Sequence, residues 1–155
     1  MSDDLDLRDL YQEVILDHGR HPRNHRAMTD CNHLAHGENP LCGDKVVVFL
    51  KTDAAGVIRD VAFDGQGCAI STASASLMTE VLLGKTPEQA KCLFDGFHAM
   101  ATGENPPSVD GMDDELERLT VLSGVRDYPV RVKCATLAWH TMLAALENRE
   151  GVTTE

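Results

Sequence analysis

The sequence predicts an α+β fold, a small antiparallel β-sheet packed against a set of α-helices. Three observations carry this: an amphipathic opening segment, two β-branched runs joined by a short turn, and a long remainder with helical periodicity. With 155 residues, 43% hydrophobic and 25% charged, the chain reads as a single domain over 1–155, large enough to bury its own core.

Leu7, Leu10, Tyr11, Val14 and Ile15 recur at helical spacing in "LRDLYQEVI", and Gly19 and Pro22 should end that helix. Residues 20–44 are polar and turn-rich, either a long loop or a weak strand flanked by loops. "KVVVFLKTD" and "GVIRDVAFDG" then predict a hairpin, Lys45–Thr52 pairing with Val57–Phe63 across "AAG". "STASASLMTEVLLG" reads as a helix ending at Gly84. "TPEQAKCLFDGFHAM" reads as another, with Thr86 as N-cap and Pro87 in its first turn. After the loop "TGENPPSVDG" comes a short acidic-first helix, "MDDELERLTVL". The last helix, "CATLAWHTMLAALEN", aligns Trp139, Leu143 and Leu146 on one face, and "REGVTTE" reads as a frayed tail.

Composition excludes several classes. A net charge of −11 opposes nucleic-acid binding, which depends on clustered Lys and Arg. It suits either a chain that docks on a basic patch of another protein or one that is merely well solvated. No apolar run approaches the roughly 18 residues of a membrane span, and the acidic start "MSDDLDLRDL" is no secretory signal. The expectation is a cytosolic, cytoplasmic protein with no membrane partner. Its five cysteines, an odd number, then speak for metal ligands or reactive thiols rather than a disulfide framework.

Three of those cysteines fall at element boundaries. Cys42 precedes the first hairpin strand, Cys68 follows the second, and Cys134 is expected to start the last helix. Two thus lie at expected helix N-termini, where free N–H groups and the helix dipole favour a thiolate. Should these loops converge, Cys42, Asp44, Cys68 and Cys134 form a four-donor set suited to Zn²⁺. Spacing alone leaves a second reading open, three unrelated small buried residues, since no paired C-x₂-C knuckle is present.

Four motifs add a family resemblance. "YQEVILDHGRHPRN", "CGDKV", "GQGCAISTASAS" and "RVKCATLAW" occur in register over most of the chain and resemble the U-type iron–sulfur cluster assembly proteins, the IscU/SufU fold. The resemblance implies a metal site of Cys42, Asp44, Cys68 and Cys134. Lys133 stands where the scaffold branch has His, "YPVRVKC" replaces its "LPPVK"-like stretch, and residues 102–125 look like the insertion of the SufU branch. That branch implies a zinc-dependent sulfurtransferase. It would accept persulfide sulfur from a SufS-like cysteine desulfurase at Cys42 and pass it to downstream iron–sulfur scaffold proteins. A side chain of the docked desulfurase would replace Cys42 on the metal. In the scaffold branch Cys134 would be the acceptor, and iron or a [2Fe–2S] cluster would occupy the site. Arg131 and Lys133 are placed beside the ligands, Arg131 with a contact to Asp44 or as plain surface charge.

Other candidates have simpler readings. The His-rich stretch holding His18, His21, His25, Cys31, His33 and His36 can be a metal loop, but His18 is expected to satisfy helix-end carbonyls. Cys92 is assigned to the core, Cys31 to a bystander role, and Trp139 and His140 to packing. "STASAS" lacks a nucleophile elbow and is read as small residues allowing close helix contact.

Overall fold

The computed structural model describes residues 3–104, 111–149 and 151–153, and of 3–11 and 153 the backbone alone. In chain order the elements are α1 (Asp3–Arg20), β1 (His33–Asn39), β2 (Asp44–Thr52), β3 (Ile58–Gln66), α2 (Ala69–Leu82), α3 (Pro87–Thr102), α4 (Asp113–Leu119), a 3-10 segment (Thr120–Asp127), α5 (Pro129–Leu146) and β4 (Gly151–Thr153). The fold is α+β, as expected.

The sheet runs β3-β2-β1-β4. β2 pairs antiparallel with β3 and with β1, while β4 lies parallel to β1. The sheet is therefore mixed, where a purely antiparallel one was expected. Residues 151–153, assigned to a frayed tail, make its edge strand.

β1 settles the undecided stretch. In "HLAHGEN" Ala35, Gly37 and Asn39 are buried and alternate with exposed neighbours, the period-2 signature of a strand with one covered face. Gly37 is there for space: a Cβ would collide with Thr141 Oγ1 of α5. The same contact lets α5 lie on β1 and β2.

Helix ends follow their signals. Thr86 and Gln89 close a capping box at α3, and Gly103 ends it in the left-handed region at φ 86°. α5 starts at Pro129, five residues before the expected start at Cys134; its proline occupies the first helical position, where its missing N–H costs nothing.

Apolar faces of the sheet, α2, α3 and α5 share one core. Phe97 and Trp139 stack with ring centroids 4.9 Å apart, and both are buried. Part of the insertion expected at 102–125 lies outside the described residues; α4 and the 3-10 segment supply Leu116, Leu119 and Leu122 to the core. Cys92, assigned to the core, is exposed, because α3 buries Leu93 and Phe97 instead. No described helix is long and apolar enough to cross a membrane.

Candidate metal centre

The β1–β2 hairpin presents the first two donors. Asn39 and Asp44 pair across the strands, and the Cys42 N–H closes the turn on the Asn39 carbonyl at 3.2 Å. Gly43 adopts φ 71°, a left-handed conformation in which a side chain would be strained. The turn leaves Cys42 exposed and turns Asp44 inward, with 1% of its surface accessible. The opening of β2 thus puts a thiol and a carboxylate at one end of the sheet, one wet and one dry.

Cys68 arrives from the other end of β2's neighbour. The chain leaves β3 at Gln66, passes Gly67 and caps α2 with Cys68, whose sulfur accepts the Ser71 N–H at 3.4 Å. Gly67 makes the approach possible. A Cβ there would lie 2.9 Å from Asp44 Oδ1, closer than real Cβ atoms come, and 3.0 Å from Ser71 Oγ.

Cys134 projects from the second turn of α5 rather than from its N-terminus. Cys68 thus stands at a helix N-terminus, as expected, and Cys134 does not. Fully buried, Cys134 has its thiol pushed far above the ordinary range, chiefly by burial and further by hydrogen bonding to Cys42 and Asp44. Without an ion it is a thiol, and binding a cation there releases its proton.

Donor atoms of Cys42, Asp44 and Cys134 all lie within 4.8 Å of one another. Cys134 Sγ is 3.3 Å from Cys42 Sγ, and Cys68 Sγ is 4.0 Å from Asp44 Oδ2. Zinc–sulfur bonds of about 2.3 Å imply a tetrahedral edge of about 3.8 Å, the scale of these two separations; Cys68 stands beside Asp44 but outside the group of three donors that come within 4.8 Å of one another. Soft thiolates with one carboxylate suit zinc or iron rather than calcium or magnesium. The donor set fits the implied metal. Among the described residues no other group of three or more His, Cys, Asp or Glu side chains comes together in this way.

Asn39 is the residue that sequence reasoning missed. Its side chain is fully buried, Nδ2 donates to Cys134 Sγ at 3.7 Å, and Oδ1 has no partner among the described residues. An amide three positions before "CGD", on a face otherwise apolar, was the available signal.

The remaining candidates fall elsewhere. Arg131 is exposed and makes no ion pair with Asp44 among the described residues. Instead it lines a groove of about 610 Å³ with Leu16, Ala69, Val121 and Tyr128. Lys133 is half-buried. His18 is buried and bonds Ser76 Oγ at 2.7 Å, not helix-end carbonyls. His25 stacks on Phe63, and His33 contacts the Ala145 carbonyl. Cys31 packs beside Met28, Phe49 and Ala62, while His140 meets Phe94 and His98. The small residues of "STASAS" are mostly buried, and Ser74 bonds the Ala135 carbonyl of α5.

Comparison with known proteins agrees with this architecture. Residues 10–135 match the NifU-like N terminal domain. The iron–sulfur cluster assembly scaffold protein IscU of Streptococcus pyogenes is 39% identical, over 91% of this chain and 85% of its own length. The zinc-dependent sulfurtransferase SufU of Bacillus subtilis is 38% identical, over 97% of this chain and 99% of its own. A crystal structure of a Fervidobacterium islandicum protein described as an iron–sulfur cluster assembly scaffold for the SUF system superposes with a TM-score of 0.79 at 32% identity, covering 90% of this chain and 98% of that one. The chain thus belongs to the NifU-like N-terminal domain family, the IscU/SufU type of iron–sulfur cluster assembly protein.

Proposed function

We propose that this protein accepts persulfide sulfur from a cysteine desulfurase at Cys42 and hands it on to iron–sulfur scaffold proteins. The observation that carries the reading is the unequal burial of the donors: Cys42 is exposed, while Asp44 and Cys134 are buried. Cys42 can leave and re-enter the donor set without opening the core. Zinc, held by Cys42, Asp44, Cys68 and Cys134, would keep the thiols ionised.

The transfer step is a thiolate exchange. The Cys42 thiolate attacks the terminal sulfur of the desulfurase's cysteine persulfide, a new S–S bond forms to Cys42, and the old S–S bond breaks. The desulfurase cysteine leaves as thiolate, and the transferred sulfur keeps its proton. Asp44 meanwhile holds the Cys68 N–H, and Cys134 stays in the core. Exposed Leu41, which adjoins Cys42 in the chain, and exposed Tyr128 and Val130, with the groove that Tyr128 and Arg131 line, offer apolar surface for docking. Lys133 and the 102–125 segment support the transfer branch, as does the name of the Bacillus relative.

A second reading is a scaffold on which a [2Fe–2S] cluster is built, favoured by the name of the Streptococcus relative, 39% identical against 38% for the Bacillus one. Desulfurase turnover separates the two. Sulfide release under reductant, with and without the zinc-loaded protein, should be strongly stimulated, and replacing zinc by iron should abolish the effect. Absence of stimulation, with cluster absorbance growing on added iron, establishes the scaffold reading instead.

A further inference from the structure

Asn39 spends a fully buried carboxamide at the end of a strand whose other inward residues are Ala35 and Gly37. Burying an amide with an unsatisfied acceptor is unfavourable, and the fold does not need it. A small apolar residue would continue the face. What the amide does reach is the donor set. The Asn39 backbone sits at the base of the hairpin turn, its oxygen accepting from Cys42 N–H at 3.2 Å and the residue pairing with Asp44 across the strands, while the side-chain Nδ2 donates to Cys134 Sγ, 3.7 Å away.

We propose that Asn39 is a positioning residue of the metal centre, its side-chain N–H donating to the Cys134 sulfur so that Cys134 stays on the ion while Cys42 exchanges. A neutral thiol is a weak acceptor, whereas a metal-bound thiolate accepts a charge-assisted bond. The amide therefore favours the liganded form of Cys134 over the free one. It also draws electron density from that sulfur and makes it the poorer nucleophile. No amide N–H donates to Cys42 among the described residues, so the two thiolates differ in burial and in hydrogen bonding. Both differences direct exchange to Cys42. This consequence rests on the sulfur-transfer reading; the hydrogen bond itself does not.

Two experiments test the bond without any desulfurase. In wild-type protein loaded with cadmium-113, the Asn39 side-chain amide proton should show a splitting from the metal, carried through the N–H···S bond. In Asn39→Leu, which keeps the volume and removes both polar atoms, zinc competition against a chromophoric chelator should show roughly 10-fold weaker binding, the scale of losing a hydrogen bond to a ligand. In a background carrying Cys31→Ala and Cys92→Ala, which removes the other accessible thiols, one equivalent of iodoacetamide should label the zinc-loaded protein at Cys42 alone and the Asn39→Leu variant at Cys42 and Cys134. An unsplit cadmium spectrum overturns the proposal, as does affinity within about twofold of wild type in a folded variant. If Asn39→Leu does not fold by circular dichroism, the cadmium spectrum decides. Failed sulfur transfer with the splitting intact would sink the transfer reading and leave the Asn39 bond standing.

Discussion

The backbone N–H of Cys68 donates to Asp44 Oδ1 at 3.0 Å, tying the start of α2 to the start of β2. One carboxylate oxygen thus has a structural duty, and Oδ2, 4.0 Å from Cys68 Sγ, faces the donor set. Asp44 is both a ligand candidate and the clasp that sets where Cys68 stands.

The two duties separate by substitution. Asp44→Asn keeps an acceptor for the Cys68 N–H, so the metal-free protein should unfold in urea near the wild-type midpoint while zinc binding collapses. Asp44→Ala removes the acceptor as well and should cost the metal-free protein about 1–3 kcal/mol, the penalty for an unpaired buried donor. Equal midpoints for Asp44→Ala and wild type would show that the clasp contributes nothing.

Gly37 tests the packing of α5 on β1. A methyl group there meets Thr141 Oγ1, and Gly37→Ala should destabilise by about 1–3 kcal/mol through overpacking. The pair Gly37→Ala with Thr141→Ala, which removes the clashing hydroxyl, should recover part of the loss in the same urea titration. No loss in the single variant would mean that the helix shifts freely over the strand.

Metal removal should leave the fold largely standing. The apolar cluster around Phe97, Trp139, Leu50 and Met78 includes none of the candidate donors, unlike small domains whose zinc supplies their folding energy. Far-ultraviolet circular dichroism after chelation should retain most of its helical signal. Loss of most of it would make the zinc structural.

Stability should fall in mild acid through His18. Burial holds its pKa below the ordinary 6.5, with Arg23 and Arg118 adding repulsion and Glu80 and Asp17 opposing it. The unfolded chain therefore takes up a proton near pH 6.5 while the folded chain resists. Stability is full above that pH and declines as pH drops below it. His140 is depressed in the same direction by burial and by His98 and Arg149. Replacing His18 by Gln, which still offers an acceptor to Ser76, should flatten the decline without removing it. An unchanged slope in urea unfolding at pH 5 to 7 would exclude His18.

Much of this was legible in the sequence, for reasons that differ by element. The β2–β3 hairpin announces itself through β-branched runs, and α3 through Thr86 and Pro87. β1 does not, because His, Gly, Glu and Asn are poor strand formers, and tertiary cover by α5 decides their conformation. Placing Cys134 at a helix start overlooked Pro129, a first-turn proline five residues earlier. Cys92 follows helical spacing closely enough to pass for core, yet its neighbours Leu93 and Phe97 define the buried face and leave it outside. Chain boundaries plus resemblance pointed to four candidate donors, of which Cys42, Asp44 and Cys134 come together and Cys68 stands beside Asp44. Asn39 was not legible, since its value lies in a contact spanning 95 residues.

The central claim is that Cys42 receives the sulfur, and direct mapping tests it best. Zinc-loaded protein is incubated with a SufS-like cysteine desulfurase and cysteine, alkylated, digested and read by mass spectrometry. The account requires the extra sulfur on the Cys42 peptide, lost in Cys42→Ala and kept in Cys31→Ala and Cys92→Ala. Sulfur found on the Cys134 peptide, with Cys42→Ala still accepting it, would contradict the account.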